Sequence, residues 1–199
     1  MNQHYNIRKF DIKKMYKYAI VLIFDKKMVS NHVLINDILE NKDIRCGTTI
    51  MHNYEPSIIK EVIEKQDKAR HENLSNRDSY LIIENCILDR QVLNNDRQLM
   101  TVLYSGVRYK LLRIITMQTP IVIHKKYNID YTFIFKNEYY RDRELIYTKY
   151  ANMFRTFEEF EVILDSCTTQ DYNCLVIDNT TPSNNLEDQV FYYKVSVSL

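Results

Sequence analysis

The tightest constraint on this chain is a pair of short apolar runs that end in polar side chains. They are Tyr80-Leu81-Ile82-Ile83-Glu84-Asn85-Cys86 and Leu111-Leu112-Arg113-Ile114-Ile115-Thr116-Met117-Gln118. Neither alternates apolar with polar residues, as a strand with one wet face would. Continuous runs of this length suit strands buried on both faces, the pattern of a parallel sheet covered by helices. In such sheets the carboxyl ends of the strands face the ligand crevice. An acid and an amide at one tip, with a glutamine at the next, mark a candidate site laid out like a nucleotide-hydrolysing core.

The remaining sequence fits the same frame. Residues 19–24 (Ala-Ile-Val-Leu-Ile-Phe) read as another buried strand. Residues 25–32 read as a turn, and residues 33–39 as a helix with Leu34, Ile35, Ile38 and Leu39 on its apolar face. Strand, short loop and helix is the frame of a phosphate-binding loop. A strand at 46–51 precedes a helix opened by Pro56 and running to about Arg70, proline being well tolerated in a first turn. Residues 96–104 read as a helix, and Gly106 ends it as glycines just past helices commonly do. Further strands are expected at 129–135, 174–177 and 190–197, with helices at 138–151 and 156–166. This alternation predicts one three-layer α/β domain over residues 1–199 with a mainly parallel sheet. Residues 1–18, with Arg8, Lys9, Lys13, Lys14 and Lys17, read as a basic, solvated lead-in.

Lys and Arg number 27 against 26 Asp and Glu, a net charge of +1. No global attraction to nucleic acid follows, so DNA contact needs a local patch. Arg108, Lys110, Arg113, Lys125 and Lys126 are the candidates. Cys46, Cys86, Cys167 and Cys174 lack metal-ligand spacing, so free thiols in a reducing compartment are expected. The first 17 residues are too polar for a signal peptide, and no apolar run reaches the length of a membrane span.

Four blocks carry a resemblance: residues 114–118 (Ile-Ile-Thr-Met-Gln), 128–133 (Asn-Ile-Asp-Tyr-Thr-Phe), 154–158 (Phe-Arg-Thr-Phe-Glu) and 174–181 (Cys-Leu-Val-Ile-Asp-Asn-Thr-Thr). In order and spacing they resemble the DNA-packaging ATPases of poxviruses and giant cytoplasmic DNA viruses, members of the FtsK–HerA superfamily of P-loop motors. The resemblance runs nearly the full length. It implies a RecA-like P-loop NTPase fold, ATP and Mg²⁺ as ligands, homo-oligomeric ring assembly around double-stranded DNA, and a virus assembling in host cytoplasm.

The chemistry-bearing positions depart from that family. A working phosphate loop reads G-x-x-x-x-G-K-[S/T], and its signature positions here hold Asp25, Ser30, Asn31 and His32. Side chains replace the glycines that let the backbone close on phosphate. Asn31 carries no charge to clamp phosphates, and His32 prefers softer metals than Mg²⁺. Asp25 adds a negative charge where phosphate would sit. Lys26 and Lys27 lie inside the loop as possible substitutes for the missing lysine. Glu84 falls at the Mg²⁺-ligand position and Asn85 at the water-polarising position, and losing a positioned base typically costs ~10²–10⁴-fold in rate. Gln118 keeps a polar tip that would face a γ-phosphate. Val107 follows Gly106 where the family has arginine, Lys126 replaces another arginine, and the chain is shorter than the family between Met51 and Tyr54. The expectation is a non-catalytic relative, structural or regulatory in genome packaging or virion assembly, acting in the viral factory or virion. Its partner would be an intact packaging ATPase or DNA. The alternative is an active ATPase with a non-standard loop, in which Lys26 or Lys27 serves the phosphates and Glu84 both metal and water. A decaying gene copy, or a fold reused as a binding module, is a third class.

Overall fold

The computed structural model of the chain describes residues 6–85, 96–121, 123, 128–183 and 185–195. Among these, eight strands form one sheet: β1 (Arg8–Lys9), β2 (Ile20–Phe24), β3 (Gly47–Met51), β4 (Ser79–Glu84), β5 (Leu111–Met117), β6 (Tyr131–Ile134), β7 (Asn173–Asp178) and β8 (Val190–Lys194). Their order is β1-β8-β7-β6-β2-β5-β4-β3. Only the β6–β7 and β7–β8 pairings are antiparallel, so β7 alone runs against the rest. The helices are α1 (Val29–Lys42), α2 (Pro56–His71), α3 (Arg97–Ser105), α4 (Tyr140–Tyr150), α5 (Phe157–Cys167) and the short α6 (Leu186–Gln189).

The alternating side chains of β2 show why its sequence is apolar throughout. Ile20, Leu22 and Phe24 join the core beneath α2, α3, α4 and α5, with Ile59, Val62, Leu99, Leu103, Ile146 and Phe160. Val21 and Ile23 point to the other face and pack with Leu34, Ile35 and Ile38 of α1. All five β2 residues and all seven of β5 are buried. This is the expected three-layer arrangement.

Several expectations are corrected. The amino-terminal segment is not a solvated lead-in from residue 6 onward. Arg8 and Lys9 pair with β8 at the sheet edge, and Phe10, Ile12 and Met15 are buried in the α1-side core. The Lys42 ammonium anchors this segment by donating to the carbonyls of Lys13 and Met15. Arg113 does not belong to any surface patch. It is 4% exposed, and its guanidinium donates to the carbonyls of Leu103 and Tyr18. Gly106 is a glycine for that reason and not for its turn. Its φ of −55° is right-handed, but a Cβ there would collide with the Arg113 side chain. Helix α1 starts at Val29, inside the stretch expected as a turn.

Two of the resemblance blocks tie the sheet together at the edge away from the strand tips. Asp130 exchanges bonds with Ile20: its carboxylate accepts from the Ile20 amide at 2.7 Å, and its own amide donates to Ile20 O at 3.0 Å. Burial pushes the Asp130 carboxyl up, against the pull of the Ile20 amide and Arg113. Asn179 donates to the carbonyls of Asp130 and Ile129. A third block caps α5, where the Thr156 hydroxyl accepts from Glu159 N at 3.1 Å and Glu159 accepts from Arg155 N at 2.6 Å.

Candidate functional site

The carboxyl ends of β2, β4, β5 and β6 lie at one edge of the sheet, in parallel register. Asp25 N donates to Met117 O at 3.2 Å, and Asn85 N donates to Thr116 O at 3.2 Å and to the Thr116 hydroxyl at 3.1 Å. The tips holding Asp25, Glu84, Asn85 and Gln118 are therefore neighbours, as the sequence predicts. Asn85 takes a left-handed φ of 49°, which asparagine tolerates better than most residues.

The loop leaving β2 folds onto its own first residue. Asp25 is 3% exposed. One carboxylate oxygen accepts from Lys27 N at 3.0 Å and the other from Ser30 N at 2.9 Å. Met28, between them, is left-handed at φ 59° and caps α1 without a side-chain bond. Ser30 lies in the first turn of α1, where backbone N–H groups have no partner within the helix. The Asp25 side chain supplies that partner from five residues upstream, and its charge suits the positive end of the helix.

The two candidate substitute lysines diverge. Lys26 Nζ lies 3.2 Å from Asp142 Oδ2 and 4.6 Å from the centre of the Tyr139 ring. Asp142 also accepts from Asn137 Nδ2 at 3.4 Å. Lys26 is thus drawn across to the first turn of α4. Lys27 is exposed and borders a small cleft with Asp25, Ser30, Lys136 and Asn173. Asn31, at the position of the family lysine, is 1% exposed. Neither its amide nitrogen nor its oxygen has a hydrogen-bond partner among the described residues.

His32 and Glu84 face each other directly, with Nε2 3.4 Å from Oε1. The imidazole is largely exposed and the carboxylate buried. In the resemblance these positions are the hydroxyl and the acid that share Mg²⁺. An imidazole and one carboxylate do not fit a hard cation that wants oxygen ligands in octahedral array. Among the described residues no group of three His, Cys, Asp or Glu side chains suits a metal ion.

Of the DNA-contact candidates, Arg108 is exposed, with its guanidinium 5.9 Å from the Tyr109 ring centre. It precedes β5 and so sits at the sheet edge opposite the loop. Lys125 and Lys126 lie outside the described residues, as does Cys86. The acceptors Asp142 and Tyr139 had no signal in the sequence, since they reach Lys26 only through the packing of α4.

The fold superposes on that of a solved structure. The genome-packaging NTPase B204 from Sulfolobus turreted icosahedral virus 2, in complex with AMPPCP, matches with a TM-score of 0.60. The match covers 91% of this chain and 99% of that one, at 15% identity. The fold is that of a viral genome-packaging NTPase. In sequence, the chain is 24% identical to protein L437 of Acanthamoeba polyphaga mimivirus, covering 96% of this chain and 77% of that protein. It is 34% identical to protein 088R of Invertebrate iridescent virus 3 over 73% of this chain, but spans only 55% of that protein's length. No protein-family model matches the chain. Relatives in large DNA viruses and a packaging-NTPase fold agree with the resemblance carried by the four sequence blocks. No described helix is long and apolar enough to cross a membrane.

Proposed function

We propose that this chain is a non-hydrolytic relative of the packaging ATPases, serving as a structural or regulatory partner in viral genome packaging or virion assembly. The observation that carries the reading is the direct contact of His32 with Glu84. The two positions that would share a catalytic cation stand 3.4 Å apart and form a donor set that does not suit Mg²⁺. Asn85 beside them orients but accepts no proton, and a missing general base alone costs about 10²–10⁴-fold. Lys26, one of the two candidate substitutes for the absent lysine, is held by Asp142 and Tyr139.

The preserved features are those that shape the domain: the buried strands, the Asp130–Asn179 tie and the α5 cap. A protein that keeps its scaffold while its site loses charge and metal chemistry is suited to assembly. An intact packaging ATPase or a second copy of the chain is the partner proposed, in an infected host cell or its virions, with double-stranded DNA as a further one.

The test is ATP turnover by the purified full chain with Mg²⁺, with Glu84→Ala as control. The expected result is no turnover above background. Hydrolysis that Glu84→Ala abolishes would overturn the proposal and favour the active alternative, in which Lys27 serves the phosphates. For DNA, filter binding at low and moderate salt should show a steep loss if phosphates are contacted.

A further inference from the structure

Loss of hydrolysis leaves open what the loop itself holds. We propose that the Asp25 carboxylate is a built-in occupant of the phosphate loop, a tethered anion that takes the loop amides in place of a phosphate and keeps the loop closed without nucleotide.

Both carboxylate oxygens are engaged, one with Lys27 N and one with Ser30 N. These two amides bracket Met28, whose left-handed conformation is unfavourable for a side-chain-bearing residue. Two charge-assisted bonds on either side of that residue hold the turn in place. Asp25 is itself fixed, since its own amide is tied to Met117 O at the tip of β5. The carboxylate is buried at the amino end of α1, where a helix favours negative charge. An incoming phosphate would need the same amides and would stand beside a buried carboxylate. Lys26, the loop cation that would offset the second charge, is held by Asp142 3.2 Å away. A tethered group also has an effective concentration on the order of millimolar or above, which a free anion must exceed.

The proposal goes beyond the non-hydrolytic reading, because a protein that does not hydrolyse nucleotide can still bind it. In place of an emptied motor site it assigns a filled one. The chain would present a closed loop at all times, independent of nucleotide supply, and Asp25 would be the residue that excludes phosphate.

The experiment follows the Lys27 and Ser30 amides by ¹⁵N NMR in the full chain, with hydrogen exchange and titrations of inorganic phosphate and of ATP. Wild type should show both amides protected and unmoved by millimolar phosphate. Asp25→Gly should lose that protection and bind phosphate at least about 100-fold more tightly, the factor expected from freeing two amides held by a charged acceptor. Asp25→Asn, which keeps one acceptor oxygen without charge, provides a second variant should the glycine fail to fold, and should fall between the two. Rapid exchange of both amides in wild type, or phosphate shifts as large as in Asp25→Gly, would overturn the proposal. So would a folded Asp25→Gly that binds no better than wild type. Turnover of ATP would sink both readings, because the loop would then have to admit phosphate. Exposed amides, or phosphate shifts, without turnover would sink this proposal alone and leave the non-hydrolytic reading standing.

Discussion

Replacing Gly106 by alanine should destabilise this protein, although helix propensity alone gives the opposite sign. Gly106 closes α3 in a right-handed conformation, where alanine gains up to about 1 kcal/mol over glycine. Against this, a Cβ would stand 2.7 Å from Arg113 Cδ and nearer still to Nε and Cζ. An arginine tip usually yields, but this one is buried and donates to two carbonyls, those of Leu103 and Tyr18. Displacing it breaks two bonds of the charged class, about 1.5–3 kcal/mol each. Set against the propensity gain, the net loss should be about 2–5 kcal/mol. Urea unfolding should show it as a lower midpoint at unchanged slope. The decisive comparison uses Arg113→Met. Burial pulls the Arg113 pKa down to about 10, with Asp130 opposing, so the charge sits in that position at a cost. A methionine of similar length should itself cost about 1–3 kcal/mol for each of the two carbonyls it leaves unpaired, but it removes the guanidinium that a Cβ at position 106 would strike. In that background Gly106→Ala should cost nothing or add up to about 1 kcal/mol, giving a coupling energy of at least about 2 kcal/mol. An alanine that leaves the midpoint unchanged, or costs the same in both backgrounds, would refute the reasoning.

Three further outcomes are expected. Asn31→Leu should be neutral or stabilising by about 1 kcal/mol in urea unfolding, because the amide is buried without a partner among the described residues; a loss above that size would show the amide to be satisfied. The Tyr150 hydroxyl donates to Ile121 O and accepts from Ile123 N, and burial pushes its pKa up to about 12 against the pull of that amide. Since this lies above the unfolded value of about 10, its contribution is intact below pH 10 and lost as pH rises through 12. The unfolding midpoint should fall across that window, and less steeply in Tyr150→Phe. Iodoacetamide at pH 8 should label the exposed Cys46 well before Cys167 or Cys174, because burial raises the thiol of Cys167 to about 11 and that of Cys174 well above its ordinary range; equal labelling in a peptide map would contradict the packing.

The buried strands could be read because both faces of the sheet are covered, so every position in β2 and β5 must be apolar. The start of α1 could not. Met28 offers no side-chain cap, and the acceptor for Ser30 N comes from Asp25, outside any local capping pattern. Residues 10–15 look solvated because Asp11, Lys13 and Lys14 interrupt Phe10, Ile12 and Met15; only the β1–β8 pairing and the Lys42 anchor turn the apolar ones inward. In the site, the charge of Asp25 was legible but its direction was not. The contact of His32 with Glu84, and the capture of Lys26 by Asp142, depend on elements that meet only after folding.

The position of β2 has a consequence for how the chain is made. Its partners are β5, at residues 111–117, and β6, at residues 131–134. At about 5–20 residues per second, both arrive only after roughly 5–20 s of further synthesis. Until then Ile20–Phe24 emerges from the ribosome as an unpaired, uncharged strand. Such segments aggregate or recruit chaperones, and sheets closed by distant partners fold slowly. A strand buried along its whole length in the finished protein is thus left open through much of its synthesis.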